Sequence, residues 1–217
     1  PSYDLFVADT NGHLTGRLTD TAGYDAEAVV SPKGDKIAFT SIRSGDLEIY
    51  TMNLDGSGVK QLTHELGYDG GPFFSADGKK IVYRAYHPKT DSQIAEYRML
   101  LAEEKIKPIT LQIWVMDADG SHKHQITDNT GANFAPFMHP DGQHVIFSSN
   151  MADTSQVPMN FDLFMVKTDG TDLQRITFSE YFDGFPMFSP DGKHLVFASG
   201  RHPRQQWEIN IFIAEWH

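Results

Sequence analysis

Along this chain apolar and polar residues alternate in short runs, and the runs repeat. Ile37 and Phe39, Ile81 and Tyr83, Val145 and Phe147, and Leu195 and Phe197 each lie two positions apart. That period puts side chains on one face of a half-buried strand. Each pair follows a turn of Ser-Pro-Asp-Gly type, in which proline presets φ and glycine supplies a positive φ. The turns end at Gly34, Gly78, Gly142 and Gly192. Aligned on these glycines, four segments match in register: GYDAEAVVSPKGDKIAF from Gly23, GYDGGPFFSADGKKIVY from Gly67, GANFAPFMHPDGQHVIF from Gly131 and YFDGFPMFSPDGKHLVF from Tyr181. Successive copies start 44, 64 and 50 residues apart.

A second element follows each of the first three copies: LEIYTMNLDGSGVKQLT from Leu47, LQIWVMDADGSHKHQIT from Leu111 and DLFMVKTDGTDLQRIT from Asp162. Another, YDLFVADTNGHLTGRLT from Tyr3, opens the chain, and the last copy stops at WEINIFIAEW. Each complete element reads as an apolar strand, a hairpin turn of Asp-Gly type (Asp55-Gly56, Asp119-Gly120, Asp169-Gly170) and a fourth strand ending in Leu/Ile-Thr. Four short antiparallel strands recurring at this spacing predict the blade of a β-propeller. The expected fold is all-β, with blades at about 22–64, 66–128 and 130–178, and partial blades at 1–20 and 180–217. The two ends supply five strands for the four places of one closing blade. Either a terminal strand is displaced or the chain is part of a larger propeller. An open edge would favour a homo-oligomer through the terminal blades.

The pattern [FM]-[SH]-[PA]-[DK]-G-x-x-[ILV]-x-[FY], then [IL]-[YWF]-x-[MV]-x-x-D-G, then [LI]-T, resembles the WD40-like repeat of TolB-like propellers, and the likeness covers nearly the whole chain. The resemblance implies a six-bladed scaffold and a binding module engaging a protein or peptide in the periplasm or another exported location. The same repeat also serves metal-dependent lyases and the propeller domains of longer prolyl oligopeptidase-like peptidases, and these stand as alternatives.

One segment breaks the period. Between Tyr86 and Leu111 the second blade carries about 20 extra residues. Thr90-Asp-Ser-Gln93 reads as a capping box, Ile94, Tyr97 and Leu101 recur at helical spacing, and Pro108 stops the pattern. A helix at about 91–104 is predicted, projecting from one face as a cap over apolar surface or as a partner-docking lid.

Composition narrows the function. The 217 residues carry a formal charge of −11 and no cysteine. A nucleic-acid binder would show a basic patch, and none is found, so the expected partners exclude nucleic acid. Disulfides and cysteine nucleophiles are excluded, and no apolar run approaches the length of a membrane span. The first residue is Pro1, which suggests a removed leader or a longer parent chain. There is no G-x-S-x-G elbow, no H-E-x-x-H and no phosphate loop, so a non-catalytic role is expected.

The alignment also gathers candidate ligand-binding residues. Asp25, Asp69, Asn133 and Asp183 share one position before the innermost strand of each blade, and Glu27 lies two residues further on. Equivalent propeller positions ring the central axis, so these oxygens suit Ca²⁺ or another divalent cation on the channel axis, or a partner's amino or guanidinium group. Alternatively each Asp caps its own turn by accepting backbone N–H bonds. Arg43, Arg84, His87, Arg201 and His202 fall at or after the end of the second strand and are candidate rim residues. His64, His87, His139 and His202, in different blades, keep open the metal site that a lyase would need.

Overall fold

The computed structural model describes residues 3–107, 110–155, 160–205 and 208–217. Pro1, Pro108 and Trp207, on which parts of the sequence reading rest, lie outside the described residues. The all-β expectation is met. Three antiparallel sheets have four strands each: β3 (Asp25–Val30) to β6 (Lys60–Gln61), β7 (Tyr68–Phe74) to β10 (His124–Gln125), and β11 (Asn133–Met138) to β14 (Gln174–Arg175). The middle strands are β4 (Lys36–Ser41) and β5 (Glu48–Asn53), β8 (Lys80–Tyr86) and β9 (Gln112–Asp117), and β12 (His144–Ser149) and β13 (Asp162–Lys167). At the C-terminal end β15 (Asp183–Phe188), β16 (His194–Ser199) and β17 (Asn210–Glu215) form a three-stranded sheet. At the N-terminal end β1 (Phe6–Ala8) and β2 (Leu14–Arg17) form a hairpin.

Tyr3 bridges Tyr24 in parallel, just as Leu47 bridges Tyr68, so β1 stands where a third strand stands in a whole blade. Among the described residues β1 and β2 do not pair with β15–β17. Each free end shows apolar side chains: Phe6 and Leu14 at one, and Ile209, Ile211 and Ile213 at the other.

The core is a series of slabs between neighbouring blades rather than one central mass. Ile49, Leu62, Phe74, Ile81 and Met116 fill the slab between the first two whole blades, and Val82, Val115, Met138, Val145 and Phe164 fill the next. The Leu/Ile-Thr signature has a definite task. Its threonine hydroxyl accepts the N–H that opens the third strand: Leu5 to Thr19 at 3.0 Å, Ile49 to Thr63 at 2.8 Å, Ile113 to Thr127 at 2.8 Å and Leu163 to Thr177 at 2.9 Å. Such a buried backbone donor would otherwise be left unpaired.

Two departures from plain strand geometry position the functional residues. Each innermost strand carries a bulge where its register with the second strand slips. The bulge residue has positive φ in every blade: Glu27 (56°), Gly71 (61°), Ala135 (48°) and Phe185 (56°). A bulge re-aims one side chain. Only Gly71 is free of the steric cost of that backbone, so the other three are held there by their surroundings.

The second departure is helix α1 (Asp91–Ala102), inserted between β8 and β9. Both halves of the predicted capping box form: Thr90 accepts the Gln93 N–H at 3.3 Å, and Gln93 accepts the Thr90 N–H at 3.1 Å. Tyr97 is the buried residue of the helix.

Candidate functional site

Tyr97 ties the insertion to the blade before its own. Its hydroxyl lies against the Asp46 carboxylate and 2.6 Å from the Gly67 carbonyl. Asp46 in turn accepts the N–H groups of Leu47 (2.9 Å) and Gly67 (3.0 Å). The helix therefore folds back over the first whole blade, with Leu101, Ile106 and Tyr24 packed against the cluster of Leu47, Tyr68, Tyr97 and Leu111. Between helix end and blades remains a cleft of about 330 Å³. Tyr3, Tyr24 and Tyr68 form its aromatic wall, Ile42, Leu47, Leu101 and Ile106 its aliphatic surface, and Arg84, Glu104 and Lys105 its charged groups.

Arg84 belongs to a polar bridge between two blades. Glu27, aimed by its bulge, pairs with the Arg84 guanidinium and accepts the Gly71 N–H (2.8 Å) and the Thr40 hydroxyl (2.9 Å). Arg84 Nε donates to the Tyr68 hydroxyl at 2.9 Å, and its guanidinium lies 5.5 Å from the Tyr68 ring centre. Burial lifts the Tyr68 phenol above its ordinary pKa despite the arginine beside it, so the hydroxyl keeps its proton. The bridge is charge-balanced and well hydrogen-bonded. It suits holding a ligand rather than activating a nucleophile.

The four aligned positions, which open the innermost strands rather than precede them, do not present a ring of free oxygens. Asp25, Asp69, Asn133 and Asp183 are 2, 1, 0 and 0% exposed. Nor do Asp25 and Asp183 cap turns. Asp25 receives Arg43 Nη2 on both oxygens at 3.0 Å, while Arg43 Nε donates to Ser41 and its guanidinium lies over Phe39 and Tyr50. Asp183 pairs with Arg201, which bonds Ser199 and lies over Phe197 and Phe212. His87 Nε2 sits 3.1 Å from Asp69, and its Nδ1 3.4 Å from Glu65. Asn133 donates to the Leu111 carbonyl at 2.7 Å. Three of the predicted rim residues, Arg43, His87 and Arg201, are thus partners of the predicted ring. Each lies 18 residues after its acid, a spacing legible in the alignment.

Glu27 and Arg84 do meet, and Arg84 lines the cleft. His202 is exposed, with φ of 55°. His64 and His87 line one small cavity, whereas His139 packs edge-on against Phe188. Among the described residues no three His, Asp or Glu side chains are grouped to hold a metal. Of the oxygens offered for Ca²⁺, both of Asp25 and Oδ2 of Asp183 hold guanidinium groups.

The repeat is now visible in strand order, turn chemistry and buried ion pairs. A family model described as the TolB beta propeller domain matches residues 2–110 and 101–212. The chain belongs to the TolB β-propeller family. A TolB homolog of Chlorobium luteolum is 27% identical over 177 residues, covering 70% of this chain and 37% of that protein. The chain spans about a third of the length of the first curated relatives it matches. Among solved structures, TolB from Acinetobacter baumannii superposes with a TM-score of 0.75 at 21% identity, over 98% of this chain and 46% of that one. An oligogalacturonate lyase in complex with manganese superposes with a TM-score of 0.63 at 19% identity, over 99% of this chain and 56% of that one. At these identities the structural likeness establishes the TolB-like fold alone.

Sequence reasoning did not anticipate the cleft. Tyr24, Tyr68, Asp46, Tyr97 and Leu101 come from two blades and the insertion, and no local motif joins them.

Proposed function

We propose that this chain is a non-catalytic binding module, engaging a protein or peptide through its helix-bearing face. An apolar or aromatic side chain of the partner would seat in the cleft beneath α1. The observation that carries this reading is the cleft itself. It is mostly apolar and aromatic, with a few placed polar groups, as ligand sites commonly are. Membership of the TolB family supports a protein partner, as does the Tol-Pal system that names one relative, from Francisella tularensis. The same membership supports an exported, periplasmic location. Among the described residues no helix is long and apolar enough to cross a membrane.

A photo-crosslinking residue placed at Leu101, with Lys193 as a distant exposed control, tests the reading in cells producing the full-length protein. Polypeptide adducts at position 101 and not at 193 are expected. Equal adducts at both positions, or none at 101, would contradict it.

A further inference from the structure

Internal repetition supplies its own control, because the same four aligned positions recur at every junction between neighbouring blades. They are the residue just before the one whose N–H the threonine accepts, the residue two before that threonine, the residue aligned with Asp25 at the start of the next innermost strand, and the residue 18 positions after it. At the last junction these are Asp162, Arg175, Asp183 and Arg201, two acids and two arginines, with Arg175 Nη2 2.7 Å from Asp162. At the first they are Asp4, Arg17, Asp25 and Arg43, again two of each, with Arg17 Nη2 2.7 Å from Asp4. Between the second and third whole blades all four are uncharged: Gln112, Gln125, Asn133 and Met151. The set is thus charge-balanced or absent, as burial requires.

The junction between the first and second whole blades is the exception. It keeps both acids, Glu48 and Asp69, yet has Gln61 and His87 where the arginines belong. Glu48 is 2% exposed and its Oε2 has no hydrogen-bond partner; Asp183 Oδ1 at the last junction has none either, but there the other oxygen of the carboxylate holds Arg201. Gln61 donates to the Thr63 carbonyl (2.8 Å), as Arg17 and Arg175 do to Thr19 and Thr177, but has no second donor nitrogen to reach the acid as those arginines do. On the Asp69 side of the junction there is space: Asp69, His87, Glu65, Tyr83 and Trp114 line a cavity of about 110 Å³. That cavity shares Glu65, His87 and Trp114 with a larger cleft of about 710 Å³, whose walls include Gln112 and Asn129. Lys123 also lines the cavity, but its ammonium is taken up by the Gly120 carbonyl.

We infer that this junction is a receptor for one guanidinium or ammonium group of a ligand, which takes the place that an arginine of the chain itself holds in the sister junctions. The cation would pass Trp114 and Glu65 and pair with Asp69, and the chain's net charge of −11 favours its approach. Without ligand, burial and the neighbouring Asp69 charge push the Glu48 carboxyl up to about 8, so a proton stands in for the missing cation. Binding therefore displaces that proton. The inference does not depend on the cleft beneath α1, with which this cavity shares no lining residue.

The test is calorimetric titration of the intact protein with N-acetyl-arginine amide, N-acetyl-lysine amide and the uncharged citrulline analogue. Both cations should bind saturably and release a proton, and the analogue should not bind. Peptides carrying an internal arginine should bind more tightly than the small amides if the natural cation belongs to a polypeptide, and no better if it is a small amine. The Gln61→Arg/His87→Arg double variant rebuilds the sister arrangement and should stay folded while losing at least about tenfold in affinity. Asp69→Asn should lose affinity too, which keeps the test open if the double variant misfolds. Absence of binding to the wild-type chain, equal binding of the citrulline analogue, or undiminished binding to these variants would overturn the inference.

Discussion

The junction of Asp162, Arg175, Asp183 and Arg201 and the junction of Glu48, Gln61, Asp69 and His87 share one backbone geometry and differ in charge. In the first, two buried carboxylates each hold a guanidinium, and two of those four residues belong to each blade. In the second, the one imidazole pairs with Asp69 and Glu65, and Glu48 has no cationic partner from the equivalent positions. The contrast teaches that the repeat writes a structural ion-pair set into its blades, and that a departure from it marks a place with another task. Removing one partner of a buried pair leaves a charge without solvent or counterion, which is far worse than never having had the pair. The all-neutral junction of Gln112, Gln125, Asn133 and Met151 shows the other safe solution.

The largest effect expected from breaking this contrast is at the last junction. Arg201→Ala strands the fully buried Asp183 and should cost about 3–5 kcal/mol of stability in urea unfolding. His87→Ala should cost less than half of that, because Glu48 and Asp69 already share a proton. Next comes the neutral junction. Asn133→Asp should cost about 3 kcal/mol, and adding Met151→Arg should restore most of it, so a double-mutant cycle should show strong coupling.

A smaller effect is expected with pH. The Glu48 pKa is raised on folding, so its contribution is full below the unfolded value of about 4.5 and is lost as pH rises through about 8. His87 acts in the same direction. Burial works against its proton, but the hydrogen bond and charge of Asp69, with Glu65 and Asp46, hold its pKa above 6.5. Stability should therefore fall between about pH 5 and about pH 9, and Glu48→Gln should flatten that slope. Smallest is Thr90→Ala, which removes the capping box of α1 and should cost about 1 kcal/mol, seen as faster amide exchange in the first turn of the helix.

Most of the architecture was legible because the repeat states it four times. The turn glycines set the register, the period-2 apolar pairs marked the second strands, and the capping box placed the helix start at Asp91. The positions of Asp25, Asp69, Asn133 and Asp183 were legible as equivalents, but not their occupation. Alternation shows which face a residue takes, not that Arg43 folds back on Asp25 while its guanidinium lies over Phe39 and Tyr50. Glu48 and Gln61 looked like ordinary strand residues until the sister blades supplied the arginines they lack. The cleft beneath α1 stayed hidden for a different reason. Tyr97 reaches 51 residues back to Asp46, a contact that no local pattern encodes.

The most direct test of the account is the titration of the Glu48 carboxyl by ¹³C NMR in the ligand-free protein. It should titrate at about 8, and return to the ordinary carboxylate range in the Gln61→Arg/His87→Arg variant. Titration of Glu48 in that ordinary range in the wild-type chain would contradict the claim that a proton stands in at this junction for the missing cation.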